Sequence, residues 1–336
     1  MKWIDLRSDT VTKPTPPMRQ AMLTAEVGDD VYGEDPSVNR LEETAAQMTG
    51  MEAGLFCASG TQSNLLALMS HCNRGEEYIV GQLAHTYRYE GGGAAVLGSI
   101  QPQPLDFEPD GTLDLAKVAR FIKPDDFHFA RTKLLCLENT QGGKVLPMDY
   151  IAEARTFVNT HNLSLHLDGA RVFNAAVKLK VAVKEITRYF DTVSCCLSKG
   201  LGAPVGSVLC GPKEIIQKAR RWRKVLGGGM RQAGVLAAAG LYALENHVTR
   251  LEQDHENARR LAQGLSEIKG IDIDPQGVQT NILFVDITAD IKQLYEHLRK
   301  NKIIIDQSSH LRLVTHLDIT PQDIDHTIGA FKSFFR

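Results

Sequence analysis

The chain has 336 residues, 43 % of them hydrophobic, and 38 basic against 40 acidic side chains give a formal charge of −2. That balance offers no electrostatic basis for binding nucleic acid or an anionic membrane, and no apolar run reaches the roughly 20 residues of a spanning helix. No apolar h-region follows Lys2 and Asp5, so no signal peptide is expected. The six cysteines, Cys57, Cys72, Cys136, Cys195, Cys196 and Cys210, lack CxxC or Cys/His spacing. They read as buried small hydrophobes of a reducing, cytoplasmic compartment, and no metal site is expected.

Residues 1–15 are polar and irregular and read as an arm packed on something else. Short apolar runs then alternate with longer amphipathic ones. Strands are expected at Gly54–Cys57, Tyr78–Gly81, Leu134–Leu137, Leu163–Leu167, Thr192–Cys196 and Ser207–Cys210. Helices are expected at Thr61–Cys72, Tyr150–Asn159 and Glu214–Val225. This alternation implies βαβ units and a mostly parallel sheet covered on both faces. In such sheets the ligand lies outside the carboxyl ends of the strands. After "LGGGMRQ" (Leu226–Gln232) one helical stretch runs from about Ala233 to Lys269. Beyond it Thr280–Ile287 and Leu311–Leu317 read as strands, Ile291–Lys300 and Pro321–Phe335 as helices. The expected organisation is an arm (1–15), a large domain (16–249) and a small α+β domain (250–336).

Three strand ends carry chemistry. In "CASGTQSN" (Cys57–Asn64) a strand turns through Ser59, Gly60 and Thr61 into a helix. Ser59 either simply caps that helix or belongs to a phosphate cradle made by the helix's free N–H groups. In "LHLDGAR" Asp168 closes an apolar strand, where an uncompensated carboxylate is costly. It is a helix cap, a partner of Arg171, or the partner of a protonated ring nitrogen. In "CCLSKGLGAPVGS" Lys199 stands alone among small and apolar residues. It is a solvated surface amine, or a desolvated one able to form a Schiff base. Taken together, an anion cradle, an acid for a ring nitrogen and an amine for an aldehyde match pyridoxal 5′-phosphate. His85, in "GQLAHTYRYE", follows another strand and is placed to cover one face of the ring. The "RRWRK" run (Arg220–Lys224) is short and ends a helix, which fits charge compensation and subunit contact better than nucleic acid.

With these stand "DLRSDTVT" (Asp5–Thr12), "VGDDVYGEDP" (Val27–Pro36), "GGGMRQ" and "LRLVTHLD" (Leu311–Asp318). Through these motifs the whole chain resembles the low-specificity L-threonine aldolases. That family belongs to the fold-type-I, aspartate aminotransferase-like pyridoxal-phosphate enzymes. The resemblance implies a seven-stranded, mostly parallel sheet in the large α/β domain. It also implies reversible retro-aldol cleavage of L-threonine, L-allo-threonine and other β-hydroxy-α-amino acids to glycine and an aldehyde. Lys199 would carry the Schiff base, Asp168 pair with the pyridine nitrogen and His85 stack on the ring. Ser59, Gly60 and Thr61 would lie at the phosphate. Arg171 would reach the cofactor's phenolic oxygen or the substrate carboxylate, which Ser8 and Arg312 would hold. Lys224, Arg231 and Tyr32 would come from a neighbouring subunit of a homotetramer. His128, in "DDFHFA", would be a second pocket histidine, and Tyr89 would stand with His85 and His128 around the substrate's β-substituent. His85, or a water ordered by His85 and His128, would be the base. One departure is "LENTQGGK", where close relatives tend to carry "NTHNG"; no catalytic role falls to Gln141.

Overall fold

A computed structural model describes residues 2–336. Seven strands form the central sheet: β1 (Ala53–Cys57), β2 (Glu77–Gly81), β3 (Gln101–Leu105), β4 (Thr132–Glu138), β5 (Ser164–Gly169), β6 (Thr192–Cys196) and β7 (Ser207–Gly211). Their spatial order is β1-β7-β6-β5-β4-β2-β3. β7 runs antiparallel to both neighbours and every other pair is parallel, as the alternating pattern implied. The strand residues of β1, β2, β6 and β7 are almost wholly buried, because helices cover both faces. The helix Gly60–His71 shows how deep this burial goes. It hides every residue from Ser63 to Ser70, so it has no polar face to present.

β3 was not expected. Its sequence is "QPQPL", and Pro102 and Pro104 argue against a strand. At the sheet edge the missing N–H groups cost nothing, and β3 pairs only with β2, opposite Tyr78 and Val80. The expected single helix 233–269 is also two, Gly234–Asn246 and Leu251–Ser266. The first packs on the helices Pro16–Leu23 and Pro36–Thr49, the second on Pro321–Phe334. His247 pins the break between them through its Nδ1, 2.7 Å from the Leu201 carbonyl.

Two apolar cores follow from this change of partner. One, with Phe56, Leu135, Leu165 and Val193, fills the space around the large sheet. The other, with Leu261, Leu283, Leu313 and Phe331, lies under a three-stranded antiparallel sheet: β8 (Ile271–Asp272), β9 (Ile282–Ile287) and β10 (His310–Val314). Ile4 and Leu6 of the arm belong to this second core. The arm is therefore tied to the C-terminal part of the chain: Ile4–Asp5 pair in parallel with Ile303–Ile304.

Candidate active site

A cleft of about 970 Å³ opens at the carboxyl ends of β2, β4 and β6, and Ser8, His85, Tyr89, Arg171, Lys199 and Arg312 all line it. The strand-end rule accounts for three of these. His85 follows β2 and begins the short helix His85–Arg88, Arg171 follows β5, and Lys199 follows β6. The other contributors arrive from far away in sequence: Ser8 on the arm and Arg312 on β10.

Asp168 is 2 % exposed. It lies in register with Glu138 on β4 and with Ser194 on β6. Its Oδ2 accepts from Asn64 Nδ2 at 2.9 Å and its Oδ1 from the Ala170 amide at 3.1 Å. Arg171 is not its partner, and the next helix, Val172–Leu179, has no side-chain cap. Two of the three readings open in the sequence are thereby removed.

His85 is held twice. Its amide donates to Glu138 Oε2 and its Nδ1 lies 2.8 Å from Glu90 Oε1. The bond to Glu90 raises the imidazole pKa, against the opposing effect of burial. With Nδ1 committed, Nε2 is the ring atom left for a ligand. Burial and the nearby Asp168 push the Glu138 carboxyl up to about 7, and burial raises Glu90 as well. Acids with raised pKa values crowded in one cleft are a mark of working sites.

Arg171 lines the cleft and is also tied to the arm. Its Nε and Nη2 both reach the Asp9 carboxylate at 2.7 Å, and Asn281 Nδ2 donates to the same group at 3.1 Å. Burial alone would push the Asp9 carboxyl up, but Arg171, with Lys199 and Asn281, holds it well below the usual range. The fork is thus largely spent on the arm, leaving Nη1 for a ligand. Burial, with the charge of Arg171 beside it, lowers the pKa of Arg312. Two guanidinium groups and the Lys199 amine gather near the Asp9 carboxylate, with Asp306 also acting on Arg312 and Glu138 on Arg171, and a cluster of three cations suits an anionic ligand.

At the third strand end the plain reading holds: Ser59 Oγ accepts from the Gln62 amide at 3.1 Å and caps the helix. A Cβ on Gly60 would stand 3.5 Å from Ser207 Oγ, and the buried hydroxyls of Ser207 and Ser63 have no partner.

The family described as beta-eliminating lyase matches residues 5–288. A low-specificity L-threonine aldolase of Escherichia coli (strain K12) is 56 % identical over 332 residues, covering 98 % of this chain and 99 % of that protein. The chain belongs to this family, among its low-specificity L-threonine aldolases. A low-specificity L-threonine aldolase 1 of Arabidopsis thaliana is 45 % identical, covering 99 % of this chain and 96 % of that one. The fold is likewise shared with a solved threonine aldolase of Leishmania major, at a TM-score of 0.83 and 21 % identity over 99 % of this chain and all of that one. It is shared as well with a serine palmitoyltransferase of Sphingomonas wittichii, at 0.77 and 17 % over 98 % and 86 %. The architecture is that of the fold-type-I pyridoxal-phosphate enzymes.

Ser59, Gly60, Thr61 and Asp168 are not among the residues that line this cleft, and neither are Tyr32, Lys224, Arg231 and His128. Tyr32 is 75 % exposed, Lys224 is exposed at the end of the helix Lys213–Val225, and Arg231 is exposed with Nη1 on Asp29 at 2.8 Å. His128, expected as a second pocket histidine, does not line this cleft within one chain. Its backbone and Nδ1 both bond Asp126, and the loop they close turns the ring out to solvent. Two of the four basic residues of "RRWRK" are neutralised internally, Arg220 by Glu42 and Arg223 by Asp30, each at 2.6 Å. Gln141 and Gly142 line the cleft.

Asn64, Glu90, Glu138 and Asp9 escaped the sequence reading. All four stand inside the motifs named above, and Glu138 closes an apolar strand as Asp168 does. The rule applied to Asp168 would have found it.

Proposed function

We propose that the cleft holds pyridoxal 5′-phosphate and works as the site of threonine aldol cleavage. The protein is a lyase that splits L-threonine or L-allo-threonine reversibly to glycine and acetaldehyde, and other β-hydroxy-α-amino acids to glycine and the matching aldehyde. The supporting observation is the convergence in one cleft of an amine without a carboxylate partner, Lys199, with Arg171, Arg312 and His85, together with the burial of Asp168 on the adjoining strand. The orphaned Ser63 and Ser207 hydroxyls beside Gly60 fit the phosphate.

When bound, the cofactor supplies an electron sink for the pair released as Cα–Cβ breaks. The rest falls to the chain. Lys199 would hold the cofactor aldehyde. Asp168 would keep the ring nitrogen protonated, and His85 would cover the ring face. Ser59, Gly60 and Thr61 would meet the phosphate. Arg312 and Ser8, with Arg171 Nη1, would fix the substrate carboxylate and so orient the Cα–Cβ bond. His85 Nε2, directly or through a water, takes the β-hydroxyl proton. Tyr89, its ring centroid 5.9 Å from that of His85, borders the β-substituent. Lys224, Arg231, Tyr32 and His128 serve a neighbouring subunit's cleft in a cytoplasmic homotetramer. Exposed Val31 and Val225, beside Tyr32 and Lys224, favour such contacts.

A desulfurase-like reading would want a cysteine on an accessible loop, whereas all six are buried and unpaired. Purified protein given pyridoxal phosphate and L-threonine should release acetaldehyde and glycine in equal amounts. It should absorb near about 420 nm, a band lost in Lys199→Ala. A protein that stays colourless with added cofactor contradicts the reading.

A further inference from the structure

We propose that Asn64 is a positioning residue: its amide ties the Asp168 carboxylate to the Glu90 carboxylate that aims His85, and a buried chain of donors fixes that amide. The chain runs back through His166 and Thr192 to His71.

Asn64 lies in the second turn of the helix Gly60–His71 and is 2 % exposed. Its Nδ2 donates to Asp168 Oδ2 and to Glu90 Oε1, each at 2.9 Å, so both amide protons are spent on carboxylates. Its Oδ1 lies 3.2 Å from His166 Nε2. His166 sits two residues before Asp168 on β5, hence on the same face, and Thr192 of β6 is its partner in register. Thr192 Oγ1 is 2.8 Å from His166 Nδ1 and 2.9 Å from His71 Nε2.

Only one arrangement of protons satisfies every group. Burial lowers His166 to about 3 and His71 to about 4, so both rings are neutral and carry one N–H each. Asn64 Oδ1 must accept, which puts the His166 proton on Nε2. Its Nδ1 then accepts from the Thr192 hydroxyl, and that oxygen accepts from His71 Nε2–H. A reversed Asn64 amide would aim a carbonyl oxygen at two carboxylates.

One nitrogen of His85 and one oxygen each of Glu90 and Asp168 lie within 4.8 Å of one another. Without a shared donor the two acids repel, Glu90 takes up a proton, and its hold on the His85 cation weakens. The charged or titratable groups facing His85 are Glu90 and Tyr89 after its own helix, Glu138 on β4, Asp168 on β5 and Lys199 after β6. Asn64 touches two of the acids at once.

This inference rests on the cofactor lying between His85 and Asp168, but its test does not need the cofactor. In the full-length, cofactor-free protein with labelled histidines, NMR follows the His85 ring through pH. Asn64→Ala should lower the midpoint by about one pH unit. Thr192→Val, which keeps the shape of a strand residue, should lower it by less. Pyridoxal phosphate should also bind Asn64→Ala about tenfold more weakly. A folded Asn64→Ala with an unmoved midpoint overturns the proposal, even if its Tm falls. Should that variant not fold, an unmoved midpoint in Thr192→Val overturns it. Failure of the cofactor reading shows elsewhere, as absence of the 420 nm band in the parent protein.

Discussion

The two ends of the cleft are built on opposite plans. At the ring end Asp168, Asn64, Glu90 and His85 all come from the large sheet and its adjoining helices, and the donors and acceptors among them are matched. At the carboxylate end Ser8, Asp9, Arg171, Asn281 and Arg312 come from separated stretches of chain, and positive charge gathers. The contrast separates two tasks. A resident group is best met by a finished, preorganised surface, whereas a substrate that comes and goes is best met by charge it alone completes.

Lys199 stands between the ends, and its loss is the largest effect expected. Lys199→Ala should lower kcat by more than about 10³-fold and abolish the aldimine-type absorbance, read by acetaldehyde release and spectroscopy. Arg312→Leu strikes only the carboxylate end. It should reduce kcat/KM for L-threonine by about 10²-fold, mainly through KM, while cofactor affinity stays within a factor of two. Equal losses of cofactor and substrate affinity would erase the distinction between the ends.

Asp9→Asn loosens the same end more gently and also costs stability. The Asp9 carboxyl is depressed in the fold, so it stabilises above its unfolded value near about 4 and that contribution is lost as pH falls. Thermal unfolding should therefore show the variant below the parent by about 3 kcal/mol at pH 7, with the gap closing toward pH 3. Glu138 has the opposite sign, because burial and Asp168 raise it to about 7. Ionising it destabilises the fold as pH rises from about 4.5 through 7. Glu138→Gln should gain Tm relative to the parent between pH 5 and pH 8, a rise of about 2 °C or more. This is the smallest effect, and it belongs to the ring end alone.

Lys199 and Asp168 were legible because each puts a charge at or just after the end of an apolar strand, and strand alternation locates such ends well. Their nearness to one cleft followed from the strand-end rule. The Asp9–Arg171 pair was hidden because its members lie 162 positions apart. Asn64 was hidden because it sits among small polar residues of a helix so deeply buried that no polar face marks it. β3 was lost to its prolines, which only an edge position permits. His128 was supplied by a motif, and within one chain it lies on an exposed loop bonded to Asp126.

The arm has a consequence for the order of assembly. Its first strand residues pair with Ile303 and Ile304, and Asp9 clasps Arg171, so the arm finds its partners in residues made well after it. Contacts so distant in sequence close slowly, after loop entropy has been met. The large sheet can form while the chain still grows, but the carboxylate end is completed only after residue 312 has emerged. A half-made chain therefore presents the amine of Lys199 without the grip that would let it act on an amino acid.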